Sequence, residues 1–266
     1  MCLIVFAWQV IPGLSLLAAA NRDEFYERPA LPAHWWADEP DVYAGRDLRG
    51  NGTWLGITRG GRFAALTNVR DPQSVRPDAP SRGALVSDFL RGSDSAADYI
   101  EALAPGADRY NGFNLLVCDG EELIWYTNAN TDDPRNGLPL PHGIYGLSNA
   151  FLDTPWPKVL RSKAEFASLL CQGAPVDAYF DMLSDATRPS DCRLPHTGVP
   201  LEWERVLSPI FIESTGYGTR CSTVVQLLQD GSAQLTERLA EPCGVEAPII
   251  QEKIYGALRC VRSPRP

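Results

Sequence analysis

Cys2 opens an apolar run, Leu3-Ile4-Val5-Phe6-Ala7-Trp8, and becomes the first residue of the chain if Met1 is removed. A terminal cysteine carries a thiol and an α-amine on one residue, which supplies a nucleophile and a base together. Their ordinary pKa values, about 8.5 for the thiol and about 7.7–8.0 for the amine, lie close to neutral pH. Modest environmental shifts then give a thiolate or a neutral amine, the species that attack on an acyl carbon needs. The plainer alternative is a small buried residue that begins a strand.

Four further polar clusters fall at the ends of expected strands: Asn21-Arg22-Asp23-Glu24, Leu66-Thr67-Asn68-Val69-Arg70-Asp71, Gly146-Leu147-Ser148-Asn149 and Tyr217-Gly218-Thr219-Arg220. Taken singly, each reads as turn residues or a surface ion pair. Taken with Cys2 they form a pattern. Met1-Cys2-Leu3-Ile4, Asn21-Arg22-Asp23-Glu24, Gly52-Thr53-Trp54-Leu55-Gly56, Thr67-Asn68-Val69-Arg70, Tyr145-Gly146-Leu147-Ser148-Asn149 and Tyr217-Gly218-Thr219-Arg220 occur in that order over nearly the whole chain. This series resembles the transport-and-Golgi-organisation family, also called the NRDE family after the tetrapeptide at 21–24.

That family is in turn similar to the N-terminal nucleophile hydrolases, most of all to the cysteine branch of penicillin V acylases and bile-salt hydrolases. The resemblance implies an α+β fold: one domain over residues 1–266, built as a four-layer αββα sandwich of two mainly antiparallel sheets. It also implies a site at the strand ends with Cys2 as nucleophile. Chemistry then assigns expected roles. The Cys2 thiolate attacks an amide or related acyl carbonyl, and its α-amine manages the protons. Asp23 holds and orients the ammonium. Asn68 and Asn149 offer side-chain N–H groups to the oxyanion. Arg220 stabilises the site or binds a substrate carboxylate. No cofactor is required for this chemistry. The acylases carry an arginine three residues before the aspartate, a slot that Ala20 fills here. Arg22 adjoins Asp23 and leaves a regular strand on the opposite face, so it is expected to serve the thiol only if the strand has turned. Arg220 is the other candidate for that task.

A second reading is carriage without catalysis. The resemblance also implies haem handling and acyl-CoA or lipid metabolism, with a small-molecule amide, acyl or haem-like ligand as partner. Of three histidines, His34, beside Trp35-Trp36 on a proline-rich stretch, is the candidate to line a flat apolar pocket for haem. A third reading takes Gly146-Leu147-Ser148-Asn149-Ala150 as an approximate nucleophile elbow with Asp191 and His196 following, but the last glycine is missing.

The elements that must position these residues are legible from periodicity. Residues 3–9 and 14–20 are nearly continuous in apolar side chains and flank Pro12-Gly13, which predicts two core strands and a turn. No Lys or Arg precedes Arg22, so a secretory leader is not expected. Residues 29–50 are rich in proline and predict a long irregular connection. Hairpins are predicted at Thr53–Thr58/Arg62–Val69 and Phe113–Cys118/Glu122–Thr127. Helices are predicted at Ser81–Leu90, Asp94–Leu103, Pro157–Leu170 and Val176–Leu183. Strands are predicted at Ile144–Asn149, Ile210–Glu213, Thr219–Leu228 and Ala233–Arg238, and Ile249–Leu258 fits either type. A net charge of −9 and the lack of a basic run argue against nucleic acid. No stretch approaches the ~20 apolar residues of a membrane span. Seven cysteines without a C-x-x-C pair give no zinc or haem-attachment motif and suggest reduced thiols in the cytoplasm. Nothing in the sequence sets an oligomeric state.

Overall fold

The structure is a computed structural model that describes residues 2–129, 131–240 and 249–254. Strands β1 (Cys2–Ile11) and β2 (Leu14–Phe25) form a hairpin whose residues are almost all buried. Their apolar runs are continuous because both faces are covered. Ile4, Phe6 and Trp8 face the second sheet, whereas Leu3, Val5 and Ala7 face a helical layer. β3 (Ala30–Trp35), β4 (Val42–Asp47), β5 (Leu55–Thr58), β6 (Phe63–Asn68), β7 (Phe113–Cys118) and β8 (Leu123–Thr127) follow one another across a six-stranded sheet. β9 (Gly143–Leu147), β10 (Tyr217–Leu228), β11 (Ala233–Leu239) and β12 (Ile249–Ile254) complete the other sheet, in the order β12-β11-β10-β2-β1-β9. All the strand pairs are antiparallel.

One apolar cluster fills the space between the sheets. A second lies between the β3–β8 sheet and helices α1 (Gly83–Arg91) and α2 (Ala96–Leu103). A third lies between the other sheet and helices α3 (Pro157–Gln172) and α4 (Val176–Leu183). These three cores separate four layers, the αββα sandwich expected from the sequence. α3 starts with proline at its first turn and stops at Gly173 in the left-handed conformation (φ 61°), whose N–H returns to Leu169 and Leu170.

Three expectations need correction. Residues 29–50 are not an irregular connection, because they contain the β3–β4 hairpin. Proline obscured it: β3 is an edge strand, where a missing N–H is tolerated, and Pro32 sits in a bulge between Leu31 and His34. The amide of Ala33, released by that bulge, donates to the buried carboxyl of Glu237 on β11 at 2.8 Å, which ties the two sheets together. Ile210–Glu213 is not a strand; it makes only an isolated bridge, Glu213 to Gly218. A short helix, α5 (Leu201–Val206), was not expected; it follows Pro200 and carries Glu202 and Glu204 in its first turn. Of the ambiguous Ile249–Leu258, residues 249–254 are strand β12 and 255–258 lie outside the described residues.

Candidate active site

Strand register builds the site. Cys2 on β1 lies directly across from Arg22 on β2, and Arg22 lies across from Cys221 on β10. Cys221 in turn faces Leu239 on β11. Directly opposed residues of antiparallel strands present their side chains on one face. This row therefore forms the floor of a cavity of about 440 Å³ between the ends of the two sheets, which all four residues line.

Parity sends Asn21 and Asp23 the other way, under the α3–α4 layer. The Asn21 side-chain amide donates to the carbonyls of Leu183 (2.8 Å) and Ile210 (2.9 Å), and its oxygen accepts from Ser222 (2.6 Å). Asp23 is 1% exposed, and its carboxylate accepts from the Thr219 hydroxyl at 2.7 Å. The close approach that this requires explains Gly218: a Cβ there would meet the Ile212 carbonyl oxygen at 2.6 Å and the Tyr26 hydroxyl. Lys158, in the first turn of α3, is buried and donates to the Leu207 carbonyl at 3.1 Å. Burial lowers its pKa to about 8, against the attraction of Asp23. Arg70 pairs with Glu204 at 2.8 Å in the same layer. Burial raises the pKa of Asp23, and the charge of Lys158 opposes that rise.

The tetrapeptide 21–24 therefore lies within β2, which stays extended to Phe25. This reverses the expectation for Arg22: without any turn of the strand, Arg22 is the residue on the thiol's face. The Asp23 carboxylate lies on the far face but still acts electrostatically on Cys2, and the Asp23 backbone N–H points to the sulfur. Burial pushes the Cys2 thiol above its ordinary value; the Asp23 charge adds to that rise, and Arg22 opposes it. Burial also pushes Cys221 well above its ordinary value, with Glu237 beside it.

The remaining candidates divide. Asn68 lines the cavity. Asn149 does not; it is buried, and its side-chain amide donates to the Asn68 carbonyl at 2.8 Å while its own carbonyl accepts from Arg70. Thr67 donates to the Ser148 carbonyl and Ser148 to the Cys2 carbonyl at 3.1 Å, so the two motifs brace the strand ends around Cys2. Ser148 is thus part of that brace, and Asp191 is bound to Arg205 at the surface, so no serine triad assembles. Arg220 sits at a bulge in β10 and donates to the carbonyls of Phe25 (2.9 Å) and Arg28 (3.0 Å) at the cavity wall. His34 is absent from the cavity lining; it pairs with Ala44 on the outer face of its sheet, and its Nδ1 contacts the Pro32 carbonyl at 2.7 Å.

Sequence reasoning missed Asp47 and Arg82. Asp47 receives Arg28 and, at 3.4 Å, Arg22, together with the amides of Arg49 and Gly50. Burial works against its charge, yet hydrogen bonds from Arg28 and Gly50 hold its pKa below the usual carboxylate range. Arg82 is the N-cap residue of α1, donates to the Gly112 carbonyl at 2.8 Å, and lies within electrostatic reach of Cys2. The motif glycine Gly52 places it, since a Cβ there would meet the Gly83 carbonyl at 2.5 Å and push the start of α1 away. The only sequence signal was a cation at the positive end of a predicted helix, against its dipole.

Among the described residues no group of three His, Cys, Asp or Glu could hold a metal ion, and no helix is long and apolar enough to cross a membrane. The five described cysteines, Cys2, Cys118, Cys171, Cys192 and Cys221, are free thiols; Cys243 and Cys260 lie outside the described residues.

Comparison with known proteins gives the following. The chain is 33% identical over 259 residues to the mouse transport and Golgi organization 2 homolog, covering 90% of this chain and 92% of that protein. It is 34% identical over 259 residues to the human homolog, with the same coverage. To the Drosophila melanogaster protein it is 31% identical over 253 residues, covering 85% and 87%. Among solved structures it is similar to a Caenorhabditis elegans ortholog of N-acylethanolamine-hydrolyzing acid amidase, with TM-score 0.48 and 11% identity over 84% of this chain and 92% of that one. It is also similar to the C2A mutant of the conjugated bile acid hydrolase from Clostridium perfringens, with TM-score 0.45 and 11% identity over 98% and 100%. The family model described as "Transport and Golgi organisation 2" matches residues 1–242. The chain belongs to the transport and Golgi organisation 2 family.

Proposed function

We propose that the protein is an N-terminal cysteine hydrolase that cleaves a non-peptide amide or a related acyl bond, working in a reducing compartment such as the cytoplasm. The observation that carries this reading is the placement of Cys2 on the floor of the 440 Å³ cavity, with Arg22 opposite it in register. Removal of Met1 frees the α-amine of Cys2. Because burial raises the thiol's pKa, the resting species is the neutral thiol, and the amine accepts its proton as sulfur attacks the carbonyl carbon. The tetrahedral oxyanion is stabilised by the Asn68 side chain, which Asn149 holds from behind through the Asn68 carbonyl. Collapse breaks the C–N bond, and the ammonium returns the proton to the departing amine, leaving a thioester on Cys2. Water then attacks that thioester with the amine as base, releasing a carboxylic acid and the thiol. Asp23, beneath the strand, steadies the ammonium.

The test is turnover of a short N-acyl amide. Wild type is expected to release the free acid, and Cys2→Ala to release none; equal rates would contradict the reading. Carriage of a haem-like or acyl ligand without cleavage is the second reading, favoured by the arginines on the cavity wall, which can hold an acidic ligand without any step at the thiol. In that reading His34 supplies no ligand inside the cavity, because it lies on the other face of β3.

A further inference from the structure

Six arginines line the cavity: Arg22, Arg28, Arg46, Arg49, Arg82 and Arg220. This concentration stands out in a chain of net charge −9. Four of the six are matched by carboxylates: Arg22 and Arg28 share Asp47, Arg46 pairs with Asp38, and Arg49 pairs with Glu27. Arg82 and Arg220 are different. Among the described residues their guanidinium groups donate to backbone carbonyls, and neither makes an ion pair. Of the other acidic groups on the wall, Glu24 faces Arg28 at 3.8 Å, Asp23 holds its carboxylate beneath the strand, and Glu237 is bound to the Ala33 amide and pushed above its ordinary pKa by burial.

Among the described residues Arg82 makes no ion pair, and its position makes that costly. It occupies the N-cap of α1 without a side-chain cap bond, and no acidic residue stands in the first turn of that helix. A cation there meets the positive end of the helix dipole, which favours anions. Burial lowers its pKa, against the attraction of Cys2 and of Glu24, with which it makes no ion pair. A bound anion relieves both penalties, because a guanidinium takes a carboxylate, sulfonate or phosphate through paired N–H groups.

We propose that the substrate of this cavity carries an anionic group, which Arg82 and Arg220 bind while the acyl bond lies over Cys2. The identification of the cavity as the substrate site rests on the hydrolase reading; the preference for an anion rests on the arginines alone. The experiment separates the two. Cys2→Ala protein is titrated calorimetrically with N-octanoylglycine and with N-octanoylethanolamine, which share an acyl amide and differ in the charge of the head. The glycine conjugate is expected to bind about tenfold tighter at low salt, and the gap is expected to shrink as salt screens it. Arg82→Met and Arg220→Met are each expected to weaken the anionic probe more than the neutral one and so reduce the gap, with thermal unfolding as the check on folding. Equal affinities for the two probes, or no binding of the anionic one up to millimolar concentration, overturn the proposal. Hydrolysis by wild type is read separately, so an anion-selective cavity without turnover would remove the hydrolase reading and keep this one.

Discussion

The two faces of β2 carry one tetrapeptide into opposite environments. On the cavity face stand Arg22 and Glu24, beside a thiol and a set of arginines, with Arg82 and Arg220 held by backbone carbonyls. On the helix face stand Asn21 and Asp23, in a closed layer where Asn21 makes three hydrogen bonds and Asp23 meets Thr219 and the field of Lys158. The helix face has the character of a structural joint, because its charges are buried and offset by one another. The cavity face has the character of a binding surface, because its cations exceed its carboxylates. A motif that reads as one polar cluster is thus two half-motifs, interleaved by the alternation of a strand.

Breaking the helix-face joint has the largest expected effect. Asp23→Asn leaves Lys158 buried without the main opposing charge acting on it, at an expected cost of about 3 kcal/mol or more. Adding Lys158→Met should restore much of that loss, which paired urea unfolding curves measure. The same lysine gives a pH signature. Its folded pKa of about 8 lies below an unfolded value of about 10.4, so between these values the unfolded chain binds more protons. The stability of wild type relative to Lys158→Met should therefore rise with pH across that window and level off above it. A flat or falling difference would mean that Lys158 is not a buried charge.

Asn21→Leu comes next. It leaves the Leu183 and Ile210 carbonyls and the Ser222 hydroxyl without their partner, at an expected cost of about 2–3 kcal/mol by the same curves. Arg22→Met, one residue along but on the other face, sharpens the contrast. Its link to Asp47 is long, at 3.4 Å, and Asp47 keeps Arg28 as a partner, so the stability change should be smaller, about 1–2 kcal/mol. Its signature is chemical: loss of the cation raises the Cys2 thiol further, and alkylation of Cys2 at pH 8 should slow several-fold. If Arg22→Met instead unfolds the protein while Asp23→Asn leaves it intact, the division between the faces is wrong.

Much of this was legible in the sequence where periodicity is strong. The β1–β2 hairpin, the β5–β6 and β7–β8 hairpins and helices α1 to α4 follow directly from apolar spacing and turn residues. The β3–β4 hairpin was hidden by prolines that only an edge strand and a bulge can accept. For the site, the alternation that separates Arg22 from Asp23 was readable, but the length of β2 was not. The polar run looked like a strand's end, and burial by α3 and α4 lets the strand continue through it. Asn149 reads as an oxyanion donor by type, whereas its geometry makes it a brace for Asn68. Arg82 was out of reach, because it comes to Cys2 from a distant helix start through the close approach of Gly52 and Gly83, and no local pattern reports that contact.

Intact-mass analysis with peptide mapping shows whether Cys2 is a terminal nucleophile. After brief treatment with a limiting amount of an activated octanoyl ester, a chain lacking Met1 with a single octanoyl group on Cys2 is expected, the group being absent in Cys2→Ala. A chain that retains Met1, or an acyl group found instead on the exposed thiols Cys171 and Cys192, would contradict it.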